Sequence, residues 1–303
     1  MNVIIIGYGS IGRRHAKIIR KNFKFCNIYI CTKQKISKFK SFKNLNQIKL
    51  LKPDYIIIAS ETHKHLEQLR YLENNFKKVQ ILVEKPLFHR FKKLRIKKNN
   101  VYVGYNLRFH PFIQKLQKIV SKEKIYDAQF ITNSFLPDWR KNISYKENYS
   151  AFKSKGGGII LDLSHEIDLA ELIFNNLKIV FSIFGKKSNL KINTEDYLKA
   201  FAKSKKTQIS FDLKYYSRNE IRIILIDAEK FSIFIDFKNN IFKIKKGNKI
   251  NQIKTNYSKD HTFYQMHKAI IKGKGKNFLC SYVEALKVLK IIKNIKQKKT
   301  VLL

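Results

Sequence analysis

The stretch Asn2-Val3-Ile4-Ile5-Ile6-Gly7-Tyr8-Gly9-Ser10-Ile11-Gly12 decides how the chain begins to fold. Asn2 to Ile6 is short, apolar and β-branched, as a buried strand is, and Ile11 to Ile19 repeats apolar residues near helical spacing. Between them the glycines stand as G-x-G-x-x-G, a spacing with a mechanical reason at each position. Gly7 permits the tight turn, Gly9 lets the backbone approach a pyrophosphate, and Gly12 lets the helix pack close to the strand. Ser10 and Ile11 open a helix whose free N–H groups and positive dipole end suit phosphate oxygens. The predicted unit is a strand, a phosphate-binding turn and a helix.

Outward from that turn, Asn27 to Cys31, Tyr55 to Ala59, Gln80 to Val83 and Val101 to Tyr105 are further strand candidates, with a helical stretch from His63 to about Glu73. Strands alternating with helices predict an α/β architecture, a doubly wound parallel Rossmann sheet over residues 1–105. Beyond it the grain changes. A helix is expected from Pro111 to about Val120, a strand from Tyr126 to Phe135, an irregular polar segment from Leu136 to Lys155, and one helix after Gly156-Gly157-Gly158 running to about Phe174. Segments between Ile179 and Ile253 alternate apolar and polar residues, which predicts a large, mostly antiparallel sheet with one face covered. Helices near Thr262 to Ile271 and Tyr282 to Ile295 complete residues 106–303, an α+β domain.

The chain carries 63 Lys and Arg against 22 Asp and Glu, a formal net charge of +41. Lysines occupy nearly every kind of polar position and arginine is scarce, whereas a nucleic-acid surface clusters its cations, often with arginine and aromatics interleaved. No specific nucleic-acid partner is expected. The charge does favour anionic small molecules, such as nucleotides and nucleotide sugars, through long-range attraction. No apolar run approaches the ~20 residues that span a bilayer, and the first residues lack the basic start of a secretory signal. A cytoplasmic location without membrane insertion is expected. Cys26, Cys31 and Cys280 show neither metal-ligand spacing nor the even count of a disulfide framework, so no metal is expected.

The end of the second strand reads Ile30-Cys31-Thr32-Lys33, without the acidic residue that accepts ribose hydroxyls. Thr32 and Lys33 suit a 2′-phosphate instead, so NADP is expected, with NAD the alternative. Val83-Glu84-Lys85-Pro86 lies at the C-terminal end of a predicted sheet strand, where such folds bind ligands. Asp162, His165 and Asp168 follow the three glycines at i, i+3 steps, which share one face of a helix. A lysine, a histidine and carboxylates make a proton-transfer set for oxidising an alcohol or reducing a carbonyl.

The dinucleotide turn, the Glu-Lys-Pro and the glycine-led Asp…His…Asp, in this order and at these separations, resemble the glucose–fructose oxidoreductase / inositol dehydrogenase / rhizopine catabolism (Gfo/Idh/MocA) family. Ser60-Glu61-Thr62-His63-Lys64-His65 resembles the family's loop after the fourth strand. Gly104-Tyr105-Asn106-Leu107-Arg108-Phe109-His110-Pro111 resembles its domain-junction segment, and Tyr264, Cys280 and Glu284-Ala285-Leu286 follow its C-terminal pattern. Leu136-Pro137-Asp138-Trp139-Arg140, Tyr149-Ser150-Ala151 and the Asp162–Asp168 segment are similar to bacterial members that accompany surface-polysaccharide and nonulosonic-acid sugar biosynthesis.

The resemblance implies hydride transfer between a nicotinamide cofactor and a sugar or nucleotide-sugar carbon, and association through the large sheet into homodimers or homotetramers. It implies that Lys85 contacts the substrate hydroxyl and the nicotinamide ribose, that His165 is the general acid/base, and that Asp162 orients it or binds a sugar hydroxyl. Cofactor contacts are expected from Gly7, Gly9, Ser10, Ile11, Gly12, Thr32, Lys33, Ser60, Glu61, Thr62, His65, Glu84, Lys85, Asn106, Trp139 and Arg140. Substrate contacts are expected from Lys85, Arg108, Asp162, His165, Asp168 and Tyr264. One departure bears on Asp162: many members separate this Asp and His by four residues, and here they are three apart.

Plainer readings stand beside these. Lys85 could be one more surface lysine, His165 a satisfied core histidine, and Asp168 a helix-solvating carboxylate. Trp139 could stack on a cofactor or sugar or be a structural plug between domains, and Thr62 could cap the helix that follows it. For the whole chain, the alternative is a non-catalytic dinucleotide-binding scaffold or sensor of the same fold.

Overall fold

The computed structural model describes residues 1–140, 144–258 and 260–298. The chain begins with β1 (Asn2–Ile6), α1 (Ser10–Asn22), β2 (Asn27–Cys31), β3 (Lys40–Phe42), β4 (Tyr55–Ile58), α2 (His65–Asn75), β5 (Gln80–Val83) and β6 (Asn100–Val103). There follow α3 (Pro111–Val120), β7 (Ile125–Phe135), α4 (Ile159–Asp162), α5 (Ser164–Phe174), β8 (Lys178–Gly185), β9 (Tyr197–Ser204) and β10 (Thr207–Lys214). After β11 (Tyr216–Ala228), β12 (Ser232–Asp236), β13 (Ile241–Lys246) and β14 (Lys249–Lys254) come α6 (His261–Lys272), β15 (Cys280–Ser281) and α7 (Tyr282–Gln297). Two units form: Met1–Phe109 with Lys259–Leu286, and His110–Ser258 with Lys287–Leu303. The division expected at residue 105 falls after Phe109. The return of α6 to the first unit, and the passage from one unit to the other inside α7, are absent from the expected boundaries.

In the first unit the strand order is β15-β6-β5-β4-β1-β2-β3. β1 to β6 are mutually parallel, and β15 adds an antiparallel edge on β6. The order reverses on either side of β1, which opens a crevice at the C-terminal strand ends between β1 and β4. Val3 to Ile6 and Tyr55 to Ile58 are buried on both faces, as parallel strands covered by helices must be. α1 buries Gly12, His15, Ala16, Ile18 and Ile19. α6 adds Phe263, Met266, Ala269 and Ile270 to the same core. β3 and β15, of three and two residues, are too short to leave a periodic signal.

The second unit is an eight-stranded sheet in the order β14-β13-β12-β11-β7-β10-β9-β8. Its neighbours are antiparallel except β7 and β10, which run parallel with Phe130 opposite Phe211. One face is core: Ala128, Phe130, Leu198, Ala200, Ile209, Phe211, Leu213, Ile224, Ile226, Ile233 and Ile235 are all at most 3% exposed. The C-terminal part of α7 is tied to β8, where the Ser182 hydroxyl donates to the Ile295 carbonyl at 2.6 Å. The single helix expected after the three glycines is two. Leu163, at φ −99° and ψ 28°, breaks the spiral between Asp162 and Ser164, so the expected continuous Asp162–His165–Asp168 face is interrupted. Among the described residues, no helix is long and apolar enough to cross a membrane.

Candidate functional site

The glycine turn of the first unit shows which of its residues serve the fold and which leave room for a ligand. Gly7 has φ +94°, and a Cβ there would stand 2.7 Å from the Ala59 carbonyl oxygen. A Cβ on Gly12 would collide with the Gly7 carbonyl oxygen. Gly9 is under neither constraint: its φ is an ordinary −72°, and a Cβ there would meet nothing within 4 Å. Gly9 and Ser10 are exposed and Ile11 is half-buried. α1 starts without a side-chain cap and with no acidic residue in its first turn, so its N–H groups face open space. That open cradle fits the pyrophosphate of a dinucleotide.

Beside it, the end of β2 presents Thr32, whose Oγ1 accepts from the Gln34 N–H at 3.2 Å, and an exposed Lys33. In the loop after β4, Ser60 donates to Gln68 at 2.6 Å, and Glu61 is ion-paired with Lys64. Thr62 does not cap α2, which begins from Lys64 without any side-chain cap. His65 is 1% exposed, its two ring nitrogens facing the carbonyls of Pro86 at 3.2 Å and Ser60 at 3.1 Å. Burial pushes its pKa down. It braces two loops from inside rather than offering a nitrogen to a cofactor.

At the end of β5 the run Ile81–Phe88 is buried at every position except Lys85, which is half-buried. Glu84 turns the other way: its Oε1 lies 2.9 Å from His15 Nε2, and its Oε2 accepts from the Lys85 N–H at 3.2 Å. Gly104 makes room for that carboxylate, since a Cβ there would sit 2.8 Å from Oε1. Asn106 is buried and donates to Thr262 at 2.6 Å. Arg108 is 1% exposed and pairs with Glu284 at 2.6 Å, and that pairing helps hold the Glu284 carboxyl below its ordinary range against the upward push of burial. Tyr264 stacks on Phe23, the residue ending α1. A 13-residue helix is about 20 Å long, so Tyr264 stands at the far end of α1 from the glycine turn. The substrate contacts expected of Arg108 and Tyr264 are not what their surroundings suit: one closes an ion pair with the part-exposed Glu284 and the other an aromatic stack.

The second unit repeats the pattern seen at Lys85. From Gly156 to Glu171 every residue is buried except His165, which is half-buried. Asp162 is 3% exposed and is held by phenols: Tyr215 donates to it at 2.5 Å, and Tyr149 also bonds it. Burial first, and the Asp162 charge second, push both tyrosines well above their ordinary pKa. Trp139 meets the Tyr215 ring edge-on at 5.2 Å, and the Arg140 guanidinium lies over the Tyr149 ring at 5.4 Å. Asp162, Trp139 and Arg140 thus belong to one tyrosine-centred cluster. Asp168 is fully buried. Glu166 faces the sheet, accepting from Thr132 at 2.7 Å and pairing with Arg222 at 2.7 Å.

Reading the chain alone missed His15, Tyr55 and His267 in the first unit and the role of Tyr215 in the second. A signal existed for His15, a polar residue on the apolar stripe of α1. His267 lies 252 positions from its partner His15, and no local pattern joins them. Among the described residues, no group of three or more His, Cys, Asp or Glu side chains is placed to hold a metal ion.

Residues 1–100 match the family model described as "Oxidoreductase family, NAD-binding Rossmann fold" of the Gfo/Idh/MocA group. No curated protein matches the chain. Among solved structures, the fold is similar to the WlbA dehydrogenase from Bordetella pertussis in complex with NADH and UDP-GlcNAcA, at TM-score 0.77 and 16% identity over 98% of this chain and 95% of that one. It is similar to the UDP-N-acetylglucosamine 3-dehydrogenase GnnA from Acidithiobacillus ferrooxidans, at TM-score 0.77 and 15% identity over 99% and 97%. A levoglucosan dehydrogenase in complex with NADH gives TM-score 0.79 and 15% identity over 98% and 96%.

Proposed function

We propose that this chain, whose residues 1–100 match the Gfo/Idh/MocA family model, is an oxidoreductase of that family, a nicotinamide-dependent dehydrogenase or reductase of a sugar or nucleotide sugar, serving bacterial surface-polysaccharide sugar synthesis. One observation carries the reading: in two long buried runs, the single residue that is not buried is the lysine in one and the histidine in the other. Burial of a Lys or His is costly unless it is satisfied inside. Keeping only these two partly open suits residues that meet a ligand.

Bound nicotinamide would supply the hydride acceptor or donor. The chain supplies the proton chemistry. Lys85 holds the substrate hydroxyl and steers its proton, and His165 gives or takes a proton as general acid/base. Asp162, fixed by Tyr149 and Tyr215, serves the substrate side rather than orienting His165. NADP is favoured over NAD because Lys33 is exposed at the end of β2 and no carboxylate occurs from Cys31 to Ile36. The two NADH complexes among the similar structures keep NAD as the alternative. Association into a homodimer or homotetramer is supported by the sheet face opposite the core. There Ile131 pairs with Ile223 and Leu225 with Phe234, all only half-buried.

The test is turnover of a panel of UDP-sugars, including UDP-N-acetylglucosamine, with NAD⁺ and NADP⁺. Lys85→Ala and His165→Ala should each slow turnover ~10²-fold or more while dinucleotide affinity stays within ~3-fold. Full activity in either variant would sink its assigned role. Dinucleotide binding without turnover of any sugar would favour the scaffold reading.

A further inference from the structure

Inside the first unit, four polar side chains from four elements form an unbroken hydrogen-bond chain. The Tyr55 hydroxyl on β4 lies 3.0 Å from His267 Nδ1 on α6, and His267 Nε2 lies 2.9 Å from His15 Nδ1 on α1. His15 Nε2 lies 2.9 Å from Glu84 Oε1 at the end of β5. Tyr55, His15 and His267 are 0% exposed and Glu84 is 7% exposed. Polar groups this deep are costly if left unsatisfied, and a strand and two helices could have met here through apolar residues instead. The chain ends beside Lys85, because the second Glu84 oxygen accepts the Lys85 N–H.

Burial, with His15 second, pushes His267 well below its ordinary pKa and keeps it neutral. Burial, with Glu84 second, holds the Tyr55 hydroxyl protonated. Each ring nitrogen of His15 and His267 thus faces one polar partner, and the donor at each contact follows from the tautomers.

We propose that Tyr55, His267 and His15 are positioning residues that fix the Glu84 carboxylate, and through it the Lys85 backbone, so that the helix returning from the C-terminal end of the chain sets the aim of Lys85. This rests on the proposed role of Lys85, but its physical core can be tested without it. In the full-length protein, ¹⁵N NMR of the histidine rings should show His267 as a neutral ring near neutral pH, with both its nitrogens hydrogen-bonded. A charged His267 ring, or one with a nitrogen free of hydrogen bonding, would overturn the buried network.

Tyr55→Phe removes one hydroxyl without changing shape and keeps the test usable if His267→Gln fails to fold. In either folded variant, hydrogen exchange at the Lys85 amide should quicken ~10-fold, while the β5 amides of Ile81 to Val83 keep their protection. Unchanged exchange at Lys85 in Tyr55→Phe would overturn the positioning role. With a UDP-sugar and the dinucleotide that the wild type uses, kcat should fall ~10-fold at a dinucleotide affinity within ~3-fold, and an equal loss of both would reduce the network to general support of the domain. If the wild type binds neither NADH nor NADPH, the oxidoreductase reading falls, while the ring-NMR and exchange results still decide this one.

Discussion

Two glycine clusters, Gly7-Gly9-Gly12 in the first unit and Gly156-Gly157-Gly158 in the second, each introduce a helix and each stands near the proposed chemistry. Their reasons differ. At Gly9 a side chain would find nothing within 4 Å, so packing does not demand the glycine, and the space suits something from outside. At Gly157 a Cβ would collide with the Tyr149 carbonyl oxygen, and at Gly158, φ +110°, it would reach the Glu195 carboxylate at 2.7 Å. The second cluster is filled by the protein itself and brings α4 against the Tyr149 segment, so that Asp162 reaches its tyrosines. A glycine run in a sequence therefore has two meanings, and only the space around each residue separates them.

The largest effect should come from Gly157→Ala, where backbone on both sides must give way. A loss of about 3 kcal/mol or more, enough to prevent folding of the second unit, is expected, read by denaturant unfolding followed through Trp139, the only tryptophan. A stable, native-like variant would break the contrast at its packing end.

Acid should separate the two units. His65 and His267 resist protonation when folded but titrate at about 6.5 when unfolded. Their contribution is complete above that pH and drains as the pH falls, by about 1.4 kcal/mol per pH unit for each. Tyr149 and Tyr215 have raised values, so their contribution is complete below about pH 10, the unfolded value, and is lost as the pH rises above it. Tyr55 of the first unit is raised as well, so alkali should loosen both units, while hydrogen exchange in α1 should quicken in acid before Trp139 fluorescence changes. The reverse order in acid would contradict the buried histidine cluster.

Gly9→Ala should leave the melting temperature within a degree or two, since the Cβ has room, yet weaken dinucleotide binding ~10-fold by standing where phosphate approaches. Loss of stability with unchanged affinity would exchange the meanings of the two clusters. The smallest effect belongs to Lys33→Ala. NADPH affinity should fall ~3-fold with NADH unchanged, in keeping with an exposed cation screened by water and salt. An equal fall for both cofactors would move the 2′-phosphate contact elsewhere.

Much of the first unit was legible because its signals are local. β1, β2 and β5 fall where the apolar runs placed them, since a fully buried parallel strand must be apolar throughout. Lys85 and His165 were singled out from motifs that lie within a few residues, and each is the half-buried member of an otherwise buried run. The misreadings involve partners distant in the chain. Glu84 and His65 looked like ligand contacts until the structure turned them inward, and Arg108 looked like a substrate contact until Glu284, 176 positions away, closed on it.

The sequence by itself determined the strand–turn–helix opening, the parallel sheet and the alternating strands that follow, because hydrophobic period and glycine spacing act over neighbouring residues. Only the tertiary structure decided which unit the last helices join, that Gly9 is open while Gly157 is filled, and that His15 meets His267. Those outcomes depend on burial and on hydrogen bonds between residues far apart along the chain, and a polar side chain shows whether it serves the core or the solvent only once its surroundings are assembled.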